Sequence, residues 1–170
     1  MARVLREKVV SGYHGNLKTL YVVDGSGNFV KHTNGVFVTV ERKAAPVEMG
    51  GEAVVAHLTT ATDFDKEIYL VDTPVVIYDE RRHVSIEDWV NEGVSRGFSL
   101  ATGDYVGLTE DLLPADIAVG DVLVAGADGK LQKFDAEAHA TAKIKFYVFE
   151  DLGNAISLKQ KAFSLEIERQ

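Results

Sequence analysis

The chain contains no cysteine, and this absence excludes several kinds of chemistry. Disulfide frameworks, zinc thiolate sites and thiol nucleophiles all require cysteine. No apolar run approaches the ~20 residues that a helix needs to cross a bilayer. The opening sequence MARVLREKVV also lacks the apolar middle and the small-residue cleavage site of a signal peptide. We therefore expect no membrane partner and a protein that is made and used inside a cell, or assembled there into something larger.

Basic residues are scarce relative to acidic ones. The 18 Lys and Arg residues against 26 Asp and Glu residues give a formal charge of −8. An acidic surface repels phosphate, which disfavours direct binding of nucleic acid. The 170 residues are 46% hydrophobic, which is enough for one domain with a buried core.

The usual motifs of catalysis and cofactor binding are missing. The sequence has no Walker loop and no G-x-S-x-G elbow. The five histidines lie at positions 14, 32, 57, 83 and 139, too far apart for a local zinc motif. Asp63 and Asp65 begin like a calcium loop, but the glycine and the closing bidentate acid do not follow. We therefore predict no catalytic residue, no metal site, no cofactor and no enzymatic activity.

Alternating and β-branched segments dominate the chain and predict a mainly antiparallel β fold, a barrel or a sandwich-like domain. The alternation is clearest in KIKFYVFE (143–150) and AFSLEIE (162–168). In the second segment Phe163, Leu165 and Ile167 should face the core, and Ser164, Glu166 and Glu168 should face away. We expect a single β-rich domain over residues 17–170, preceded by an N-terminal arm over residues 1–16.

Turn signals divide the chain at spacings typical of such folds. The sequence predicts a hairpin from DVLV (121–124) to KLQKF (130–134) through a turn that contains Asp128-Gly129. Asn34-Gly35 is the strongest hairpin signal by residue type. A helical turn is expected around Leu112 and Leu113, before Pro114.

One short helix is predicted near residues 85–93. Ser85 suits an N-cap with Asp88 three residues on, and Val84 with Trp89 would form a hydrophobic staple. Gly93 fits a left-handed C-terminal stop. The only tryptophan of the chain would thus fix this helix.

Four consecutive charged residues precede the predicted helix. The simplest interpretation of this run is a solvated turn between a strand and a helix. The sharper one is the rim of a protein interface, because arginine forks pair carboxylates and acids pair a partner's basic groups. The predicted interface set is Asp79, Glu80, Arg81, Arg82, Trp89 and Arg96.

The same region resembles small virion proteins of tailed bacteriophages. TPVVIYDERR (73–82) is similar to their P-x-x-x-Y-D-E-R stretch, and Asn91-Glu92-Gly93, Arg96-Gly97-Phe98, Leu100 and Gly103-Asp104 match the N-E-G and R-G-F segments that follow. Thr109 with Leu113, the run VGDVL (119–123) and GADGKL (126–131) match the next motifs in order, and NLKTLY (16–21) matches the opening. The likeness extends from about residue 15 to residue 150.

This resemblance implies a head decoration protein, which cements and stabilises the capsid. It implies binding to the major capsid protein, a homotrimer or another small homo-oligomer, and a place on the capsid exterior after assembly in the host cytoplasm. The N-terminal arm and the 79–98 region would then contact the shell or sister subunits. The resemblance carries no residue-level binding site with it.

Three alternatives stay open at this point. A tail-tube or head–tail connector protein would form rings that stack. A β-barrel hydrolase would need two carboxylates that converge ~5–10 Å apart, which 26 acidic residues could supply by chance. A ligand-binding barrel would contain an empty apolar pocket.

Overall fold

The structure is a computed structural model that describes residues 4–8, 17–46, 52–75, 90–157 and 159–170, and these residues form eleven β-strands. The strands are β1 (Val4–Lys8), β2 (Leu17–Val22), β3 (Phe37–Ala44), β4 (Val54–Leu58), β5 (Ile68–Val71), β6 (Ser95–Ser99), β7 (Tyr105–Thr109), β8 (Val122–Ala125), β9 (Leu131–Lys133), β10 (Ile144–Gly153) and β11 (Ala162–Arg169). Three single-turn 3₁₀ helices lie at Asp63–Asp65, Glu110–Leu112 and Ala127–Gly129. The prediction of a mainly β fold is confirmed.

Strands β2 to β6 form a closed barrel in the order β2-β4-β3-β5-β6. Antiparallel pairing of β2 with β6 and parallel pairing of β2 with β4 close the ring. Gly97 in β6 allows this closure to be tight, since a Cβ there would lie 2.3 Å from Leu20 Cδ1 of β2. Each barrel strand therefore has a neighbour on both sides.

The other six strands form an open sheet in the order β1-β7-β11-β10-β8-β9. Strand β11 lies between β7 and β10 and pairs antiparallel with both. Strand β1 pairs with β7 alone and is one edge of the sheet, and β9 is the other. Residues 9–16 lie outside the described part of the chain, so the division into an arm and a single domain stays a prediction.

Barrel and sheet share one hydrophobic core. Buried side chains of the barrel, among them Leu20, Phe37 and Leu70, belong to the same cluster as Leu108 and Phe146 of the sheet. The rings of Phe37 and Phe146 meet edge to face with centroids 5.1 Å apart, and both side chains are fully buried. The apolar residues of the two parts therefore stabilise each other across this contact.

Several local predictions are confirmed by the sheet strands. Strands β8 and β9 form the predicted hairpin, with Asp128 in the left-handed region at φ 54° in its turn. The 3₁₀ turn at Glu110–Leu112 is the helical turn predicted there. Phe163, Leu165 and Ile167 are buried as expected. Ser164 is also buried, although the alternation places it with Glu166 on the opposite face.

The hairpin predicted at Asn34-Gly35 is wrong. Gly35 has φ +89° and the chain does turn there, but β3 pairs with β4 and β5 and not with the residues before the turn. The Asn34 side chain instead hydrogen-bonds to Thr73 and Asn91. Long-range bonds have replaced the local hairpin that the dipeptide favours.

The structure also corrects the C-terminal end of the helix predicted near residues 85–93. Residues 85–89 lie outside the described part of the chain. Asn91 forms an antiparallel β-bridge with His32, so the backbone is already extended at this position. Gly93 is not among the glycines with positive φ and is therefore no left-handed stop.

Candidate functional site

Most of the predicted interface lies outside the described part of the chain. This applies to Asp79, Glu80, Arg81, Arg82 and Trp89. Arg96 is described and lies in β6 with an exposed side chain. Its backbone N–H donates to Thr73 Oγ1 at 3.1 Å, and its carbonyl accepts from the N–H of Asp72 at 3.0 Å. Arg96 is thus attached to the residues that lead into the charged run.

A polar network at one end of the barrel holds the two flanks of the charged segment together. We call it the anchor network, and its members are His32, Asn34, Thr73, Asn91 and Ser95. Asn34 is its centre, with its Nδ2 donating to the Thr73 carbonyl at 2.7 Å. Its Oδ1 accepts from the N–H of Thr73 and from Nδ2 of Asn91, both at 3.0 Å. One side chain therefore joins residue 73 to residue 91.

A further hydrogen bond fixes the backbone of Asn91. Its N–H donates to the His32 carbonyl at 2.8 Å, and the side chain of Asn91 is buried. Outside the anchor network, Lys31 Nζ lies 2.7 Å from Glu92 Oε1 in an exposed ion pair. Exposed pairs of this kind contribute little, so the part-buried amide bonds define the geometry.

His32 is the titratable group of the network. Its Nδ1 donates to the Val30 carbonyl at 2.8 Å, so its Nε2 accepts from Ser95 Oγ, also at 2.8 Å. Both bonds fit a neutral imidazole. Desolvation by burial lowers the pKa of His32, since a buried cation loses its hydration.

The other end of the barrel contains a cavity of about 460 Å³. Its lining is Lys18, Val40, Glu41, Lys43, Ala44, Glu52, Ala53, Val54, Glu67 and Tyr69. Glu41 binds His57 Nε2 at 2.9 Å, Glu67 binds Arg169, and Lys18 Nζ lies 5.6 Å from the centre of the Tyr69 ring. A lining with several charged side chains, three of them held in these contacts, differs from the apolar pocket expected of a ligand-binding barrel.

The described residues contain no cluster of side chains that could hold a metal ion. No three His, Asp or Glu side chains converge there as ligands. Within the same residues no helix has the length and apolarity to span a bilayer.

Comparison with known proteins identifies no relative of this chain. Neither the protein-family models, nor the curated proteins, nor the solved structures contain a match to this chain.

Sequence reasoning missed the anchor network. Asn34 is 39 residues from Thr73 and 57 from Asn91, so no local spacing links them. The one sequence feature at this place is Asn34-Gly35, a polar turn between apolar runs, and its residue types are typical of a hairpin rather than of such a network.

Proposed function

We propose that this protein is a non-enzymatic virion component that decorates and stabilises the capsid of a tailed bacteriophage by binding the major capsid protein. The resemblance of its ordered motifs to head decoration proteins suggests the role. The observation that carries it here is the anchor network, which ties Thr73 to Asn91 and so gives the segment with Asp79–Arg82 a fixed base.

A fixed base favours binding because it lowers the entropy lost when a segment docks. Binding residues are commonly placed on loops that a rigid scaffold positions. The closed barrel provides that scaffold here, and Arg96 joins the same base through its backbone. Arg81, Arg82 and Arg96 would then form bidentate pairs with carboxylates of the shell.

The proposed partners are the major capsid protein and further copies of this chain in a small homo-oligomer, such as a trimer. Repetition over a symmetric shell converts weak single contacts into strong retention. The place of action is the capsid exterior, reached after assembly in the host cytoplasm. No cofactor, membrane or nucleic acid takes part.

The test measures the mass of the purified protein by light scattering and its copy number on capsids of the same phage. A discrete small oligomer that coats the shell at a fixed copy number is the expected result. Rings that stack into tubes would assign the protein to the tail, and no association with capsids would overturn the proposal.

The interface is tested by the double variant Arg81→Ala/Arg82→Ala. Its matched control, Lys130→Ala/Lys143→Ala, removes the same charge from two exposed positions outside the barrel strands. Occupancy of the shell should fall by about tenfold or more in the arginine variant, as expected when interface arginines are truncated, and stay unchanged in the control. Equal occupancy in both would exclude the charged run as the contact.

A further inference from the structure

The open sheet exposes one face to solvent, and the centre of that face is aromatic and acidic. Glu166 of β11 lies directly opposite Tyr105 of β7 on one side and Tyr147 of β10 on the other. Tyr147 donates a hydrogen bond from its hydroxyl to Glu168 Oε2 at 2.5 Å. These four residues and Phe149 form what we call the aromatic–acidic face.

Phe149 lies on the same face as Tyr147, because side chains alternate along β10. Between the pairs Val148–Leu165 and Glu150–Ser164, β10 contains one residue more than β11, and that residue is Phe149. This bulge leaves Phe149 without a directly paired residue in β11. Phe149 is 56% exposed, and its ring rests edge-on against Tyr105 with centroids 5.4 Å apart.

A second exposed apolar side chain borders the bulge. The N–H of Gly120 donates to the Val148 carbonyl at 2.9 Å, which brings Val119 next to this part of β10. Val119 is 58% exposed. Two of the four large apolar side chains that the described residues expose therefore belong to backbone segments joined by this hydrogen bond. Adjacent exposed apolar groups with tyrosines around them are typical of protein interfaces.

The acids of the face are held in place by their neighbours. The pKa of Tyr147 is raised, first by its hydrogen bond to Glu168 and then by desolvation. Desolvation, followed by the interaction with Glu166, raises the pKa of Tyr105. Both tyrosines thus stay neutral donors that orient carboxylates, and each carboxylate keeps further lone pairs for a partner's donors.

Charge decides what kind of surface fits here. Glu150, Glu166 and Glu168 lie on or beside the face. Two lysines adjoin it as well, because Lys8 of β1 pairs with Tyr105 and Lys145 of β10 pairs with Glu168, with the Lys145 ammonium 4.8 Å from the centre of the Phe134 ring. Two copies of this chain that meet through this face would bring like charges together, and each copy has a formal charge of −8. A basic surface with a pocket for an aromatic ring is complementary instead.

We propose that the aromatic–acidic face is a second docking surface, which binds a basic, apolar-lined patch of the capsid shell with Phe149 as its anchor. This inference rests on the proposed decoration function and assigns a contact separate from the charged run at residues 79–82. Aromatic anchors surrounded by polar groups carry most of the binding energy in many interfaces. The carboxylates supply the charge complementarity that steers the encounter.

The test compares shell binding by the unaltered protein with that of Phe149→Ser and of Glu166→Gln/Glu168→Gln. Matched controls are Leu17→Ser, at an exposed apolar position of the barrel, and Glu110→Gln/Glu137→Gln, at exposed acids elsewhere. Thermal unfolding of each variant verifies that the fold is intact.

We expect Phe149→Ser to weaken binding to the shell about tenfold or more and the glutamine pair to flatten the salt dependence of binding, while both controls bind as the unaltered chain does. Full binding by Phe149→Ser, while the unaltered chain coats capsids, would overturn this inference alone. Failure of the unaltered chain to bind capsids would overturn the decoration function and, with it, the partner assigned here.

Discussion

The barrel and the sheet handle their strand edges in opposite ways. All five barrel strands have a paired neighbour on each side, so the ring has no edge strand. The sheet ends in β1 and β9 and exposes an aromatic face as well. The closed part therefore suits a scaffold, and the open part suits contact with other molecules. The two also differ in chemistry, since the barrel ends in the part-buried anchor network and the sheet presents tyrosines and glutamates.

The largest effects are expected where the two parts meet. Phe37→Ala and Phe146→Ala should each lower the free energy of unfolding by about 3–5 kcal/mol, because each removes a fully buried ring. The double variant should lose less than the sum, since the lost edge-to-face contact is counted in both single variants. Chemical denaturation measures the cycle.

Hydrogen exchange decides whether the two parts depend on each other. Phe146→Ala lies in the sheet, yet amides of β3 and β5 should exchange faster because the core is shared. Faster exchange confined to β7, β8, β10 and β11 would show that barrel and sheet are independent units.

A medium effect is expected at the closure of the barrel. Gly97→Ala places a Cβ 2.3 Å from Leu20 Cδ1, and Leu20 is fully buried with little room to turn. We expect a loss of about 1–3 kcal/mol from overpacking. Gly93→Ala is the control, since no atom lies within 4 Å of its added Cβ. Equal melting temperatures for the two variants would mean that the barrel is less tightly closed.

The smallest effect is a pH dependence of the anchor network. Burial lowers the pKa of His32 below its ordinary 6.5, so the unfolded chain takes up a proton at higher pH than the folded chain does. The stability that neutral His32 provides is present above pH ~6.5 and is lost as the pH falls below it, by at most about 1.4 kcal/mol per pH unit. Unfolding of His32→Gln across pH 5–8 should show a shallower slope, and an unchanged slope would remove His32 as the cause.

The sequence correctly predicted those parts of the fold that depend on patterns over a few neighbouring residues. Alternation in β10 and β11 and the turn residues between β8 and β9 act over a few positions, so they identify strands and one hairpin. The parallel pair β2–β4 and the central place of β11 depend on contacts between distant segments, which no periodicity encodes. Asn34-Gly35 shows the limit, because its local preference gave way to bonds with residues 73 and 91.

The two candidate surfaces also combine features that local patterns predict with features that they do not. The outward directions of Glu166, Glu168 and Phe149 all follow from alternation, but the bulge that leaves Phe149 without a paired residue in β11 is not encoded in the run KFYVF. Of the residues predicted as the interface, Arg96 has a described position, on the same base as Thr73. The roles of Asp79, Glu80, Arg81, Arg82 and Trp89 stay predictions.

The order of the strands along the chain also determines which part of the protein can fold first during synthesis on the ribosome. All barrel strands come from residues 17–99, so the ring can close while later residues are still being translated. The sheet cannot do so, because β11 follows every other strand in the chain and lies between β7 and β10. Until β11 emerges, β1 and β7 have no link to β8, β9 and β10, and the apolar sides of all five strands stay incompletely covered. A nascent chain would therefore carry a closed barrel whose core side chains the sheet does not yet cover, and this interval is when it most needs protection from aggregation.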